Sequence, residues 1–164
     1  MFPIMLNIRG RKCTVAGGGN VAERKVKTLL KYGADVTAVS PVFKDRFPNV
    51  KRLEKEYSSS DIKNSFLVIA ATDNKEVNQT IYNDAKKRNI LVSLSDDTEH
   101  SDFILPSSKN YDDITISVST NGKSPALAKK ISQIKSNDLE LYASILPIIE
   151  KYRSILISES RDTK

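Results

Sequence analysis

The chain has 164 residues, is 39% hydrophobic, carries a formal net charge of +6, and holds one cysteine and one histidine. One cysteine cannot form an internal disulfide, and Cys13 and His100 alone cannot make a zinc site, so no protein-built metal centre is expected. No run approaches the length of a membrane span, and Met1–Leu6 is too short and lacks the basic start of a signal peptide, so a cytoplasmic chain without membrane contact is expected. The basic residues are spread along the chain with no basic stripe beside an aromatic platform, which disfavours nucleic acid and leaves solvated surface or a small polyanion as their use.

In chain order, Lys12–Ala16 reads as a first strand with Cys13 and Val15 on an apolar face, Cys13 serving as a small buried hydrophobe. The turn Gly17-Gly18-Gly19-Asn20-Val21-Ala22 follows, in which Gly17, Gly19 and Ala22 fit Gly-x-Gly-x-x-Gly/Ala. In that pattern one glycine makes a tight turn, one lets backbone approach a pyrophosphate, and a small residue packs helix on strand. The amides at the helix N-terminus would then face the anion. Apolar residues at Ala22, Val26, Leu29 and Leu30 predict an amphipathic helix ended by Gly33. A second strand is expected over Asp35–Val39 and a break at Ser40-Pro41.

The continuous apolar run Phe66–Ala71 predicts a parallel strand buried on both faces. A helix with Val77, Ile81 and Ala85 at steps of four and a strand over Ile90–Leu94 come next. Asn78-Gln79-Thr80 matches a glycosylation acceptor but falls in mid-helix and is set aside. Strands alternating with such helices make an α/β, Rossmann-type doubly wound parallel sheet. The glycine turn, Ser40-Pro41, Ala71-Thr72-Asp73 and Ser95-Asp96-Asp97 all fall on the carboxyl edge, where ligands bind. A carboxylate there can act as a general base beside a nicotinamide ring, whereas adjacent aspartates in a loop also serve as turn formers.

Ile114–Ser119 alternates apolar and hydroxyl residues, predicting a strand with one buried face. Ser124 suits an N-cap and Pro125 the first helical position, leaving amides for an anionic ligand such as a carboxylate. Gly122-Lys123-Ser124 is not the end of a P-loop, because the glycine required five residues before Gly122 is Ser117. Leu139, Tyr142, Ile145, Leu146, Ile149 and Tyr152 give a helical stripe that spans Pro147 and is expected to pack in a core.

These segments together resemble the precorrin-2 dehydrogenase family, which also forms the amino-terminal part of siroheme synthase. The resemblance runs from Pro3 to Ile134 and is carried by Val15–Lys25, Leu29–Thr37, Ala70–Asn74, Asp96-Asp97, Asp102–Pro106 and Ser117–Ala128. It implies oxidation of precorrin-2 to sirohydrochlorin with NAD as cofactor, and in some relatives iron insertion. It further implies cofactor contacts from Gly17, Gly18, Gly19, Asn20, Val21, Pro41 and Val42, to which Ser40 and Thr72 on the same edge are added, and it makes Asp96 the catalytic aspartate. Thr120, Asn121, Gly122, Lys123 and Ser124 are the expected substrate loop; Asn121 stands where the family has the first of two glycines, which asparagine's tolerance of left-handed backbone accommodates. The strand before Asp96 is also richer in hydroxyls than the family's.

Ser40 replaces the acid that usually binds the NAD ribose, so the residues alone leave NADP open, with Lys44 and Arg46 nearby. The carboxylate-rich precorrin-2 suits the basic charge. The expected organisation is a Rossmann domain over 1–105, a homodimerisation segment over 106–137 and a helical segment over 138–164, shorter than in relatives. The competing functions are a non-catalytic NAD-binding redox sensor and a chelatase without dehydrogenase activity.

Overall fold

The structure is a computed structural model that describes the backbone of residues 1–133 and 136–161, with side chains for 1–133 and 144–156. The chain divides into two compact units, Met1–Ile104 and Leu105–Lys164, so residues 106–137 and 138–164 fall together in the second.

In the first unit, the strands are β1 (Lys12–Ala16), β2 (Asp35–Ser40), β3 (Lys51–Glu54), β4 (Leu67–Ala70) and β5 (Leu91–Leu94), with helices α1 (Asn20–Lys31) and α2 (Lys75–Lys87). They form one parallel sheet in the order β3-β2-β1-β4-β5. Strand order reverses between β1 and β4, and in such sheets a crevice opens outside the carboxyl ends of the strands at that point. Every residue of β4 is buried, as its unbroken apolar run requires. Val15, Val26, Leu29, Ile62, Ile69, Ile81 and Val92 fill the core, each worth roughly 1.5–3 kcal/mol on burial. Cys13 is fully buried there, and burial, with Asp35 adding to it and Arg11 opposing, pushes its thiol up to about 11.

Three details depart from expectation. Leu30 is exposed, because the buried stripe of α1 is only Ala22, Val26 and Leu29 wide, and Leu30 is turned about 100° beyond Leu29. Lys51-Arg52-Leu53-Glu54 forms an edge strand that periodicity does not reveal, since charged side chains are what a sheet edge tolerates. The buried face of α2 is Asn78, Ile81 and Ala85, with Val77 only partly covered.

The second unit contains an antiparallel hairpin of β6 (Ser107–Tyr111) and β7 (Ile114–Val118), then α3 (Pro125–Ser132) and α4 (Ser136–Arg161). The polar sequence Ser-Ser-Lys-Asn-Tyr hides β6 from a hydrophobic pattern; pairing with β7 and a hydrogen-bonded contact of 2.8 Å between the Ser107 and Ser132 hydroxyls fix it. The alternating face expected of β7 is only half-buried at Ile114, Ile116 and Val118. Helix α4 continues through Pro147 as expected. Most of its described stripe does not pack as a core: Ile145, Ile149 and Tyr152 are exposed and Leu146 is half-buried, while the side chains of Leu139 and Tyr142 lie outside the described residues. No helix among the described residues is long and apolar enough to cross a membrane.

Candidate cofactor and active site

The turn after β1 is built from glycines with different duties. Gly17 has φ +127°, and a Cβ there would collide with the Ala71 carbonyl at the end of β4. A Cβ on Gly18 would strike the Val42 carbonyl and the Ser40 hydroxyl, so the loop after β2 lies directly on the turn. Hydrogen bonds from Gly17 N–H to Val39 carbonyl (2.8 Å) and from Lys44 N–H to Gly18 carbonyl (3.1 Å) hold it there. Gly19 is different, because a Cβ on it would meet no protein atom within 4 Å. The missing side chain at Gly19 thus serves nothing in the fold and leaves room for a ligand. Gly19 is also the N-cap of α1 and supplies no side-chain cap. The helix's first N–H groups have no partner within the helix, so this end suits a pyrophosphate.

Around the turn, Val21, Pro41 and Val42 are exposed on the carboxyl edge and offer an apolar surface beside the anion-binding end. Asn20 and Lys44 are engaged with each other: the Lys44 ammonium donates to Asn20 Oδ1 (2.7 Å) and pairs with Glu23 (2.5 Å), which also binds Lys27 at 2.5 Å. Hydrogen bonds from Lys27 and then Lys44 hold the Glu23 carboxyl below its ordinary range. The Ser40 hydroxyl donates to the Val42 carbonyl at 2.8 Å and stiffens the same loop.

Asp96 leaves the sheet just after β5, where Ser95 N–H still bonds the Ala70 carbonyl (2.9 Å). Its carboxylate is exposed on one side and on the other accepts from Asn78 Nδ2, 3.3 Å to each oxygen. Asn78 also engages Thr72 through backbone and hydroxyl, so the loops after β4 and β5 meet at one buried amide. Asp97 turns inward on its own loop, accepting from His100 N–H (3.1 Å) and pairing with His100 Nδ1 (2.7 Å). The loop is closed by Ser101, which accepts from Leu94 N–H (2.8 Å) and donates to the Asp97 carbonyl (2.7 Å), and by Asp102, which accepts from Val92 N–H (3.0 Å) and binds Lys86.

In the second unit, Thr120–Ser124 is an exposed turn with Asn121 at φ 52° and Gly122 at φ 83°, the left-handed pair of an Asn-Gly type I′ turn. Thr120 shapes it: its carbonyl accepts from Lys123 N–H (3.1 Å) and its hydroxyl from Ser124 N–H (2.9 Å). Ser124 does cap α3, but its hydroxyl takes the Leu127 amide (3.3 Å) and Pro125 has none, so fewer amides face a ligand than the sequence suggests. Lys123 is the exposed cation of the loop.

The glycine turn, the strand-order reversal and the open cradle at Gly19 define a dinucleotide-binding domain, and comparison with known proteins agrees. A family model described as "Putative NAD(P)-binding" matches residues 4–107, and one described as "Sirohaem biosynthesis protein central" matches residues 112–131. The chain belongs to this NAD(P)-binding family, in the branch whose relatives are proteins of siroheme biosynthesis. It is 42% identical over 138 residues to a siroheme synthase of Photobacterium profundum, an alignment covering 80% of this chain and 29% of that protein. A siroheme synthase of Nitrosococcus oceani is 35% identical over 160 residues, covering 93% of this chain and 34% of its own length. The chain thus spans about a third of these relatives. The solved structure of "SirC, precorrin-2 dehydrogenase" superposes with a TM-score of 0.73 at 26% identity, covering 94% of this chain and 79% of that one.

Proposed function

We propose that this chain oxidises precorrin-2 to sirohydrochlorin with NAD, acting in the cytoplasm as a homodimer, with Asp96 as the general base. The observation that carries the reading is the convergence, on one sheet edge, of a phosphate turn left open at Gly19 and an exposed carboxylate held by a buried amide. The relatives named above are siroheme synthases and a precorrin-2 dehydrogenase, which supports this reading.

Gly17, Gly18 and Gly19 would hold the pyrophosphate with the first amides of α1, and Val21, Pro41 and Val42 would flank the adenosine half, with Asn20, Ser40 and Thr72 completing the contacts. When bound, the nicotinamide supplies a hydride acceptor. Asp96 then takes a proton from the macrocycle as the hydride leaves, so that one C–H bond and one proton are lost together. Thr120, Asn121, Gly122, Lys123 and Ser124 are assigned to the substrate, with Lys123 meeting its carboxylates and Thr120 keeping the turn in shape. NAD is favoured over NADP because the Lys44 ammonium is already neutralised by Glu23, which leaves a 2′-phosphate without that partner. The dimer rests on the resemblance for residues 106–137, and the exposed apolar side chains of α4 offer a further surface that it would cover.

The test is to mix purified protein with precorrin-2 and NAD without added metal and follow the absorption spectrum. Sirohydrochlorin formation is expected, and Gly19→Asp should abolish it together with nucleotide binding, since a charged side chain would fill the cradle. Unchanged oxidation and NAD affinity in that variant would remove the turn from the site.

A further inference from the structure

Asn78 is 2% exposed and lies on the face of α2 that otherwise buries Ile81 and Ala85. A carboxamide buried without hydrogen bonds is costly, so a buried asparagine is stable only if its oxygen and nitrogen are both satisfied. Both are. Oδ1 accepts from Thr72 N–H (3.2 Å) and the Thr72 hydroxyl (2.7 Å), while Nδ2 donates to the Thr72 carbonyl (3.2 Å) and to both oxygens of Asp96 (3.3 Å each). The amide cannot be turned over: the Thr72 N–H only donates and the Thr72 carbonyl only accepts, so the NH2 group must face Asp96.

We propose that Asn78 is the positioning residue for Asp96, holding the carboxylate at the end of β5 and coupling it through Thr72 to the nucleotide edge after β4. The inference rests on the dehydrogenase reading for the role of Asp96, but the coupling itself is a property of the fold. A neutral donor suits a base better than a lysine or arginine would. It fixes the plane of the carboxylate without placing a full positive charge against it. Because Asn78 approaches from the buried side, the exposed side of Asp96 stays available to accept a proton. The other ionisable groups on the flanking segments are Asp73, Lys75 and Glu76 after β4, and Asp97, Glu99 and His100 after β5, where Asp97 and His100 are paired with each other.

The decisive variant is Asn78→Asp, which keeps the size of the side chain and an acceptor for the Thr72 N–H and hydroxyl but replaces the NH2 donor with a carboxyl oxygen against Asp96 and the Thr72 carbonyl. Carboxyl NMR titration of the full chain reads the two coupled carboxyls, with Asp96→Asn added on the same background as the uncoupled reference. The upper midpoint of the pair should lie about one pH unit or more above that of position 78 in the double variant, as two carboxylates sharing a site require. The acid limb of kcat/KM should move up with it, and kcat should fall about tenfold or more while the nucleotide Kd holds. In the unaltered protein the Asn78 NH2 signals should titrate with the Asp96 midpoint, a readout that needs no variant to fold. NH2 signals indifferent to Asp96, or the same midpoint at position 78 with and without Asp96→Asn, would overturn the proposal. Failure of the unaltered protein to oxidise precorrin-2 would instead overturn the dehydrogenase reading, while the two titrations still decide the role of Asn78.

Discussion

In the first unit the middle strands are sealed on both faces, and several of the residues assigned to ligands, Gly19, Val42 and Asp96 among them, are exposed at the carboxyl edge. In the second unit the two strands are half-buried, and α4 leaves Ile148, Ile149, Tyr152 and Leu156 between 55% and 65% exposed. Exposure means different things in the two places. A sheet that has already buried its apolar surface can spare polar and small residues at its edge for chemistry, whereas a helix that keeps large apolar side chains in water lacks a covering surface.

The sharpest way to break this contrast is at the edge of the first unit. Asp96→Ala should lower turnover by about two orders of magnitude or more with NAD affinity nearly intact, because it removes the proposed proton acceptor and no structural contact except that of Asn78. Asp97→Ala should cost much less, since Asp97 spends both oxygens on His100. Steady-state kinetics with parallel nucleotide titrations decides it, and equal losses in both would make Asp96 a structural residue.

The second unit answers to a different assay. Ile149→Asp should shift the protein from dimer to monomer in sedimentation at micromolar concentration, by placing a charge on the apolar surface of α4 that the dimer would cover. Its melting temperature should fall only as far as dissociation requires, because Ile149 is exposed within the chain. A monomer before substitution, or a dimer unaffected by it, would leave the α4 surface without its assigned partner.

What could be read from sequence follows the same division. The unbroken apolar run at Leu67–Ala70 and the glycines before Ala22 announce themselves, because burial on both faces and a phosphate turn each demand residue types that little else demands. Strands β3 and β6 do not, since Lys-Arg-Leu-Glu and Ser-Ser-Lys-Asn-Tyr look like loops until a neighbour supplies their hydrogen bonds. Asn78 was hidden for another reason. A lone polar residue one position after Val77 reads as the solvent side of a helix, and its partners lie six residues before it and 18 after it. The engagement of Lys44 with Glu23 was equally invisible, so Lys44 looked free to bind a 2′-phosphate.

That pair offers a finer test of how firmly the first unit has committed its edge. Glu23→Gln removes the carboxylate that neutralises Lys44 and leaves its hydrogen bond to Asn20. A released ammonium at the turn should raise the ratio of kcat/KM for NADP over NAD by about two- to fivefold, the scale of one partly exposed charge contact. An unchanged ratio would mean that Lys44 does not reach the nucleotide in either form.

The smallest effect concerns the loop that carries Asp96. Asp97 is held below the ordinary carboxylate range first by the His100 N–H and next by the His100 imidazole. A depressed carboxyl stabilises the fold above its unfolded midpoint, and that contribution is lost as pH falls through the lowered one, on the acid side of the usual range. His100→Ala deletes the imidazole but keeps the backbone donor. The Asp97 midpoint should therefore rise only part of the way toward its ordinary value in a carboxyl NMR titration, with little change in melting temperature because the pair is exposed. A complete return would show that the backbone bond does not form without the ring, and no movement would show that the ring contributes nothing. A partial rise is the result expected if the loop is braced by its own hydrogen bonds, separately from the contact of Asp96 with Asn78 on the sheet side.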